Sequence, residues 1–149
     1  MRILTIILLT ILPLFGEATP VQILNIQLLK PTPQSTRLTL DLSAPVTHSI
    51  FTLASPERLV IDLKNTLLAK GLKNIPTDQA MIKNFRSAPR NDHDLRIVLD
   101  LTATIHTKSF LLKPTGKTGH RLVVDLSTTP QTAKPDTLAP ITLNPTKPP

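Results

Sequence analysis

Between Val21 and Ser127 the chain is written twice, and this duplication constrains its fold more than any other feature. Arg37-Leu-Thr-Leu-Asp-Leu-Ser-Ala44 returns as Arg96-Ile-Val-Leu-Asp-Leu-Thr-Ala103, and Phe51 falls on Phe110 at the same offset of fifty-nine residues. Arg58-Leu-Val-Ile-Asp-Leu63 returns as Arg121-Leu-Val-Val-Asp-Leu126. The offset has grown there to sixty-three, because the loop Lys113-Pro-Thr-Gly-Lys-Thr-Gly-His120 is four residues longer than its counterpart. Ile23, Asn25 and Ile26 likewise match Ile82, Asn84 and Phe85. Like units in tandem must cover one another's apolar surfaces, so two copies of one four-strand unit, about 21–64 and 80–127, are expected to share a core.

The unit reads as strands because its apolar residues alternate with period two, as in Leu38, Leu40 and Leu42 or Leu59, Ile61 and Leu63. A helix would require steps of three and four. The pattern predicts strands at about 21–29, 37–43, 46–53 and 58–63, then 80–86, 95–101, 104–112 and 121–126, separated by turn-forming clusters such as Ser55-Pro56-Glu57. One face of each sheet is then leucine, isoleucine and valine, and two such sheets can cover each other. The expected fold is all-β, a sandwich of two four-stranded sheets. Between the copies, Asn65 to Gln79 reads as a crossover loop or one short helix over Leu67, Leu68 and Leu72.

The two ends differ from this middle. Arg2, the apolar run Ile3 to Phe15 and the small-residue site Gly16-Glu17-Ala18 form a secretory signal, cleaved after Ala18. The run is shorter than the roughly twenty residues a spanning helix needs, so no integral membrane segment is expected after cleavage. No paired arginines suggest the twin-arginine route, which leaves general secretion and a periplasmic destination. After a domain at 19–128, residues 129–149 carry prolines at 130, 135, 140, 145, 148 and 149 and read as a semi-extended linker or tail. The chain has no cysteine, so an exported fold of this kind has to be held by its core alone.

Losing Arg2 and Glu17 leaves the formal net charge at +7. A basic surface concentrates anionic partners. Outside the cytoplasm those are wall polymers and lipid headgroups, and nucleic acid is not expected. No catalytic set is recognisable. The histidines at 48, 93, 106 and 120 are scattered, whereas zinc needs three or four converging ligands, so neither a metal nor a cofactor is expected. Gly116-Lys117-Thr118 ends like a phosphate-binding loop, but Leu111 stands where that loop needs glycine.

What recurs is a polar stripe. Arg37 with Asp41, Arg58 with Asp62, Arg96 with Asp100 and Arg121 with Asp125 are each four residues apart, on the face opposite the leucines. Val60 lies between Arg58 and Asp62, and Val123 between Arg121 and Asp125, on that same face. Cross-strand ion pairing gives these residues a structural role. Arginine forks also suit the carboxylates of wall peptides, and exposed valines would offer apolar contact to sugar rings.

The order Val21-Gln-Ile-Leu-Asn-Ile26, Arg37-Leu-Thr-Leu-Asp-Leu42, Arg58-Leu-Val-Ile-Asp-Leu63 and its duplication resembles the AMIN domain family over residues 21 to about 127. The resemblance implies two symmetry-related four-stranded sheets, peptidoglycan binding, and recruitment of a joined enzyme to the division septum. The family motif falls on Arg58, Val60 and Asp62 and on Arg121, Val123 and Asp125; Arg37, Asp41, Arg96 and Asp100 extend it through the repeat. In such amidases a zinc-dependent domain that cleaves between N-acetylmuramic acid and L-alanine follows the linker, and nothing in this sequence matches it. The chain is therefore expected to be non-catalytic, either standing alone or forming the front of an amidase. The alternative is a protein–protein adaptor of a type IV pilus secretin or division assembly.

Overall fold

The computed structural model describes residues 19–70, 72 and 81–129. The expected signal at 1–18 and the proline-rich stretch from 130 onward lie outside these residues, as do 71 and 73–80. Nine strands follow one another: β1 (Val21–Thr32), β2 (Ser35–Leu42), β3 (His48–Leu53), β4 (Arg58–Leu63), β5 (Thr66–Leu68), β6 (Ile82–Arg90), β7 (Asp94–Leu101), β8 (His106–Leu112) and β9 (His120–Ser127). Two sheets form, of strand order β5-β1-β2-β9-β8 and β3-β4-β7-β6. The all-β sandwich expected from period two is the observed architecture, and no helix occurs among the described residues.

Each sheet takes two strands from each copy of the repeat. The hairpins β1–β2 and β8–β9 meet along β2–β9, and the hairpins β3–β4 and β6–β7 meet along β4–β7. Exchanging the copies maps the order β1-β2-β9-β8 onto β6-β7-β4-β3, so a topological twofold relates the sheets. Leucine, isoleucine and valine side chains from both inner faces form one core. Leu38, Leu40 and Leu42 of β2 and Leu122, Val124 and Leu126 of β9 meet Leu59, Ile61 and Leu63 of β4 and Ile97 and Leu99 of β7. Such burial is the main stabilising term for a chain with no disulfides.

Three local features depart from simple alternation. Residues 66–68, expected in a loop or a helix, form β5, which runs parallel to Val21–Ile23. The Thr66 amide donates to the His93 carbonyl at 2.9 Å, tying this strand to the β6–β7 turn. Strand β6 runs on to Arg90, past the expected end at 86, and carries Pro89. Proline is tolerated there because β6 is an edge strand that pairs on one side only. Finally, the register of β1 on β2 shifts between Ile23 and Asn25, and that of β6 on β7 shifts at the equivalent place, between Ile82 and Asn84. Each shift is a bulge, which lets an extra residue in and resets which face the following side chains take. Ile23 and Ile26 can thus both join or pack on the core although they are three apart, while Asn25 between them is set against Asp41.

Candidate functional site on the outer faces of the two sheets

Because β2 and β9 are antiparallel and each carries Arg-x-x-x-Asp, every arginine stands across from an aspartate. Arg37 is in register with Asp125, and Asp41 with Arg121. Strands β4 and β7 repeat the arrangement, with Arg58 against Asp100 and Asp62 against Arg96. All eight charged residues expected on the outer stripe are therefore brought together, four to a face. The pairing runs across strands, not along them.

Only half of these facing pairs close. Arg37 grips Asp125 in a fork, Nε to Oδ1 at 2.6 Å and Nη2 to Oδ2 at 2.8 Å. Its equivalent, Arg96, grips Asp62 at 2.6 and 2.7 Å. Two parallel charge-assisted hydrogen bonds are the strong form of this interaction. Asp62 also accepts from Arg90 at 2.6 Å, and its side chain is only 7 % exposed. The Arg96 hydrogen bond holds the Asp62 carboxyl below the usual aspartate range against the opposing effect of burial, helped by the charges of Arg96, Arg90 and Lys64. Arg96 also lies over the Phe51 ring, 5.9 Å from its centre, a cation–π contact on the same face.

The other pairs stay open. Asp41 accepts from Asn25 Nδ2 at 3.1 Å, and Asp100 from Arg86 Nη2 at 2.6 Å. Neither Arg121 nor Arg58 forms an ion pair among the described residues. The Arg121 Nε is buried without a hydrogen-bond partner, and Arg58 Nε reaches only the Pro56 carbonyl at 3.4 Å. Beside Arg58 on the edge strand stands Leu53, with Phe51 two residues back; beside Arg121 stands Leu112, with Phe110 two residues back. These four apolar side chains are all exposed, Phe110 at 46 %.

The valines differ from the sequence expectation. Val60 is 2 % exposed and Val123 7 %, so neither offers its surface to a sugar ring. Both point to the outer face as expected, but they sit on inner strands and are enclosed on every side: Phe51 and Val98 flank Val60 across the ladder and Arg58 and Asp62 along its strand, while Phe110 and Thr39, and Arg121 and Asp125, do the same for Val123. A short side chain ringed by long ones becomes the floor of a face and not its contact surface. The apolar contact falls instead to Phe51, Leu53, Phe110 and Leu112, which sequence reasoning did not place at the site. Asn25 and Arg86 were missed as well. The recurrence of Phe51 as Phe110 and of Asn25 as Asn84, both off the core positions, was a signal for the phenylalanines and Asn25, whereas Arg86 stands opposite Gln27 in the repeat and left no such signal.

A family model described as the AMIN domain matches residues 25–126. Residues of this chain are 37 % identical over 95 positions to the N-acetylmuramoyl-L-alanine amidase AmiC of Neisseria meningitidis serogroup B, covering 61 % of this chain and 23 % of the amidase. They are 30 % identical over 100 positions to the protein of the same name from Escherichia coli O6:H1, covering 64 % and 24 %. The chain thus matches about a quarter of the length of these relatives. With the duplicated sandwich and the match over two-thirds of its length, the chain belongs to the AMIN domain family.

Proposed function

We propose that this chain is a peptidoglycan-binding module that brings cell-wall amidase activity to the septum from the periplasm, either as the front part of an amidase or as a separate partner to one. Its binding surface comprises the outer faces carrying Arg37, Asp41, Arg58, Asp62, Arg96, Asp100, Arg121 and Asp125 over the Val60 and Val123 floors. The observation that carries this reading is the pair of arginines outside any ion pair among the described residues, Arg58 and Arg121, each beside an exposed phenylalanine and leucine on a face whose other arginine is ion-paired. Family membership and similarity to two amidases supply the cellular context. The formal charge of +7 favours the anionic wall.

Sedimentation with purified insoluble peptidoglycan tests it. Thr19–Pro149, which keeps every described strand, should pellet with the wall, and an Arg58→Ala/Arg121→Ala variant with an unchanged circular dichroism spectrum should remain in the supernatant. Pelleting of both would place binding elsewhere on the molecule. If neither pellets, the adaptor reading takes its place.

A further inference from the structure

We propose that Arg58 and Arg121 form two separate carboxylate receptors, one on each outer face, and that the wall ligand they take is the carboxylate-bearing stem peptide and not the glycan. This inference rests on the wall-binding reading above and names the part of the wall that is recognised. Four arginines stand opposite aspartates in the two sheets, and the structure divides them in the same way twice. Arg37 and Arg96 are closed on Asp125 and Asp62. Arg121 and Arg58 are left open, and the carboxylate facing each takes a donor from the neighbouring outer strand instead: Asn25 of β1 donates to Asp41, and Arg86 of β6 donates to Asp100. The two copies reach the same outcome with different residues, an amide in one and a guanidinium in the other. An accident of packing at one position would not account for both.

The chemistry of the open arginines selects the ligand. A guanidinium without an internal carboxylate partner, half-buried on a sheet face, presents forked donors that match a carboxylate in two parallel hydrogen bonds. Among the described residues no acceptor meets the buried Nε of Arg121, so this guanidinium is not committed to a partner within the protein. Leu112 and Phe110 beside it, like Leu53 and Phe51 beside Arg58, offer a shelf for the aliphatic part of a short peptide. Glycan hydroxyls would leave the charge of the fork unmatched. The sheets are back to back around a single core, so the receptors open in opposite directions and one rigid ligand cannot fill both. Each chain therefore holds two peptides, and on the intact wall it bridges neighbouring strands.

The test uses Thr19–Pro149 with two preparations of wall, native and with its carboxyl groups converted to primary amides, and with a soluble monomeric disaccharide–tetrapeptide. Native wall should retain the protein and amidated wall should retain it about tenfold less, the loss expected for a charge-assisted contact. Calorimetric titration with the soluble fragment should saturate at two per chain, and at one for either Arg58→Lys or Arg121→Lys. Lysine keeps the charge but not the fork, so this loss separates a receptor from general attraction to an anionic polymer. Equal retention on native and amidated wall overturns the carboxylate assignment and leaves wall binding standing. Failure to bind either wall removes the wall-binding reading itself. A stoichiometry of two that survives both lysine substitutions overturns the location of the receptors.

Discussion

Asp62 is the residue on which the outer face of β4 and β7 is assembled. Two arginines converge on a carboxylate that is almost out of water, and neutralising it takes the charge and one of the two acceptor oxygens from both contacts. Asp62→Asn is expected to cost about 1–3 kcal/mol, the range for losing charged hydrogen bonds at a buried site, measured by urea unfolding. The pH dependence follows from the same contact. Asp62 titrates below the ordinary aspartate value of 3.8, chiefly through Arg96, and Asp94 does so chiefly through the Lys64 hydrogen bond. A carboxylate with a depressed folded-state pKa adds stability that is complete above its unfolded value and is lost as pH falls through the folded one. The melting temperature should therefore hold steady from neutral pH towards the unfolded aspartate value and fall below it. In Asp62→Asn that acid-induced fall should be shallower. Val60 offers a second check at this scale. On an exposed position Val60→Ala would be nearly silent, whereas as the buried floor it should cost about 1–3 kcal/mol in the same unfolding measurement.

At the scale of elements, the bulges of β1 and β6 connect the fold to the site. By admitting one extra residue, the β1 bulge lets Ile23 and Ile26 serve the core while Asn25 is delivered to Asp41. Asn25→Ala removes the group that occupies Asp41, and Arg121 stands directly across the β2–β9 ladder from it. The expected outcome is closure of the Asp41–Arg121 pair. Titration with the soluble wall fragment should then show one of the two sites weakened by about tenfold, with the far-ultraviolet spectrum unchanged. An undiminished second site in this variant would mean that Asn25 does not control Arg121. The edge strands also differ in kind. β6 carries Pro89 and a bulge, both of which blunt an edge against further strand pairing, and β1 is partly covered by β5. β3 and β8 have neither device and present Phe51, Leu53, Phe110 and Leu112 beside the open arginines.

At the scale of the whole molecule, neither copy of the repeat is a structural unit. The ladders β2–β9 and β4–β7 lie at the middle of the sheets, and each joins one copy to the other. A chain ending at residue 79 would expose the inner faces of both of its hairpins and the edges of β2 and β4. It is expected to lack the β-sheet circular dichroism signal and the dispersed amide spectrum of Thr19–Pro149. A folded half-chain, monomeric by sedimentation, would contradict this interdependence; a folded dimer would reproduce the sandwich from two first copies and support it.

The sequence by itself determined eight of the nine described strands, the face each would bury and the two-sheet class, because period-two alternation and a repeated segment act locally and need no knowledge of partners, whereas β5 was not legible in it. Leu38, Leu40, Leu42 and Leu59, Ile61, Leu63 had one consistent place to go, and they went there. It also placed the eight arginines and aspartates on the outer faces. What it could not determine was which carboxylate each arginine would meet, because that depends on the register of strands whose facing residues lie from 34 to 88 positions apart, and on third parties such as Asn25 and Arg86 whose positions are set by a bulge. The burial of Val60 and Val123 was likewise a matter of neighbours across the ladder. Tertiary structure alone decided that Arg37 and Arg96 would be satisfied within the protein while Arg58 and Arg121 would not, since a guanidinium binds whichever acceptor the assembled sheet leaves within its reach.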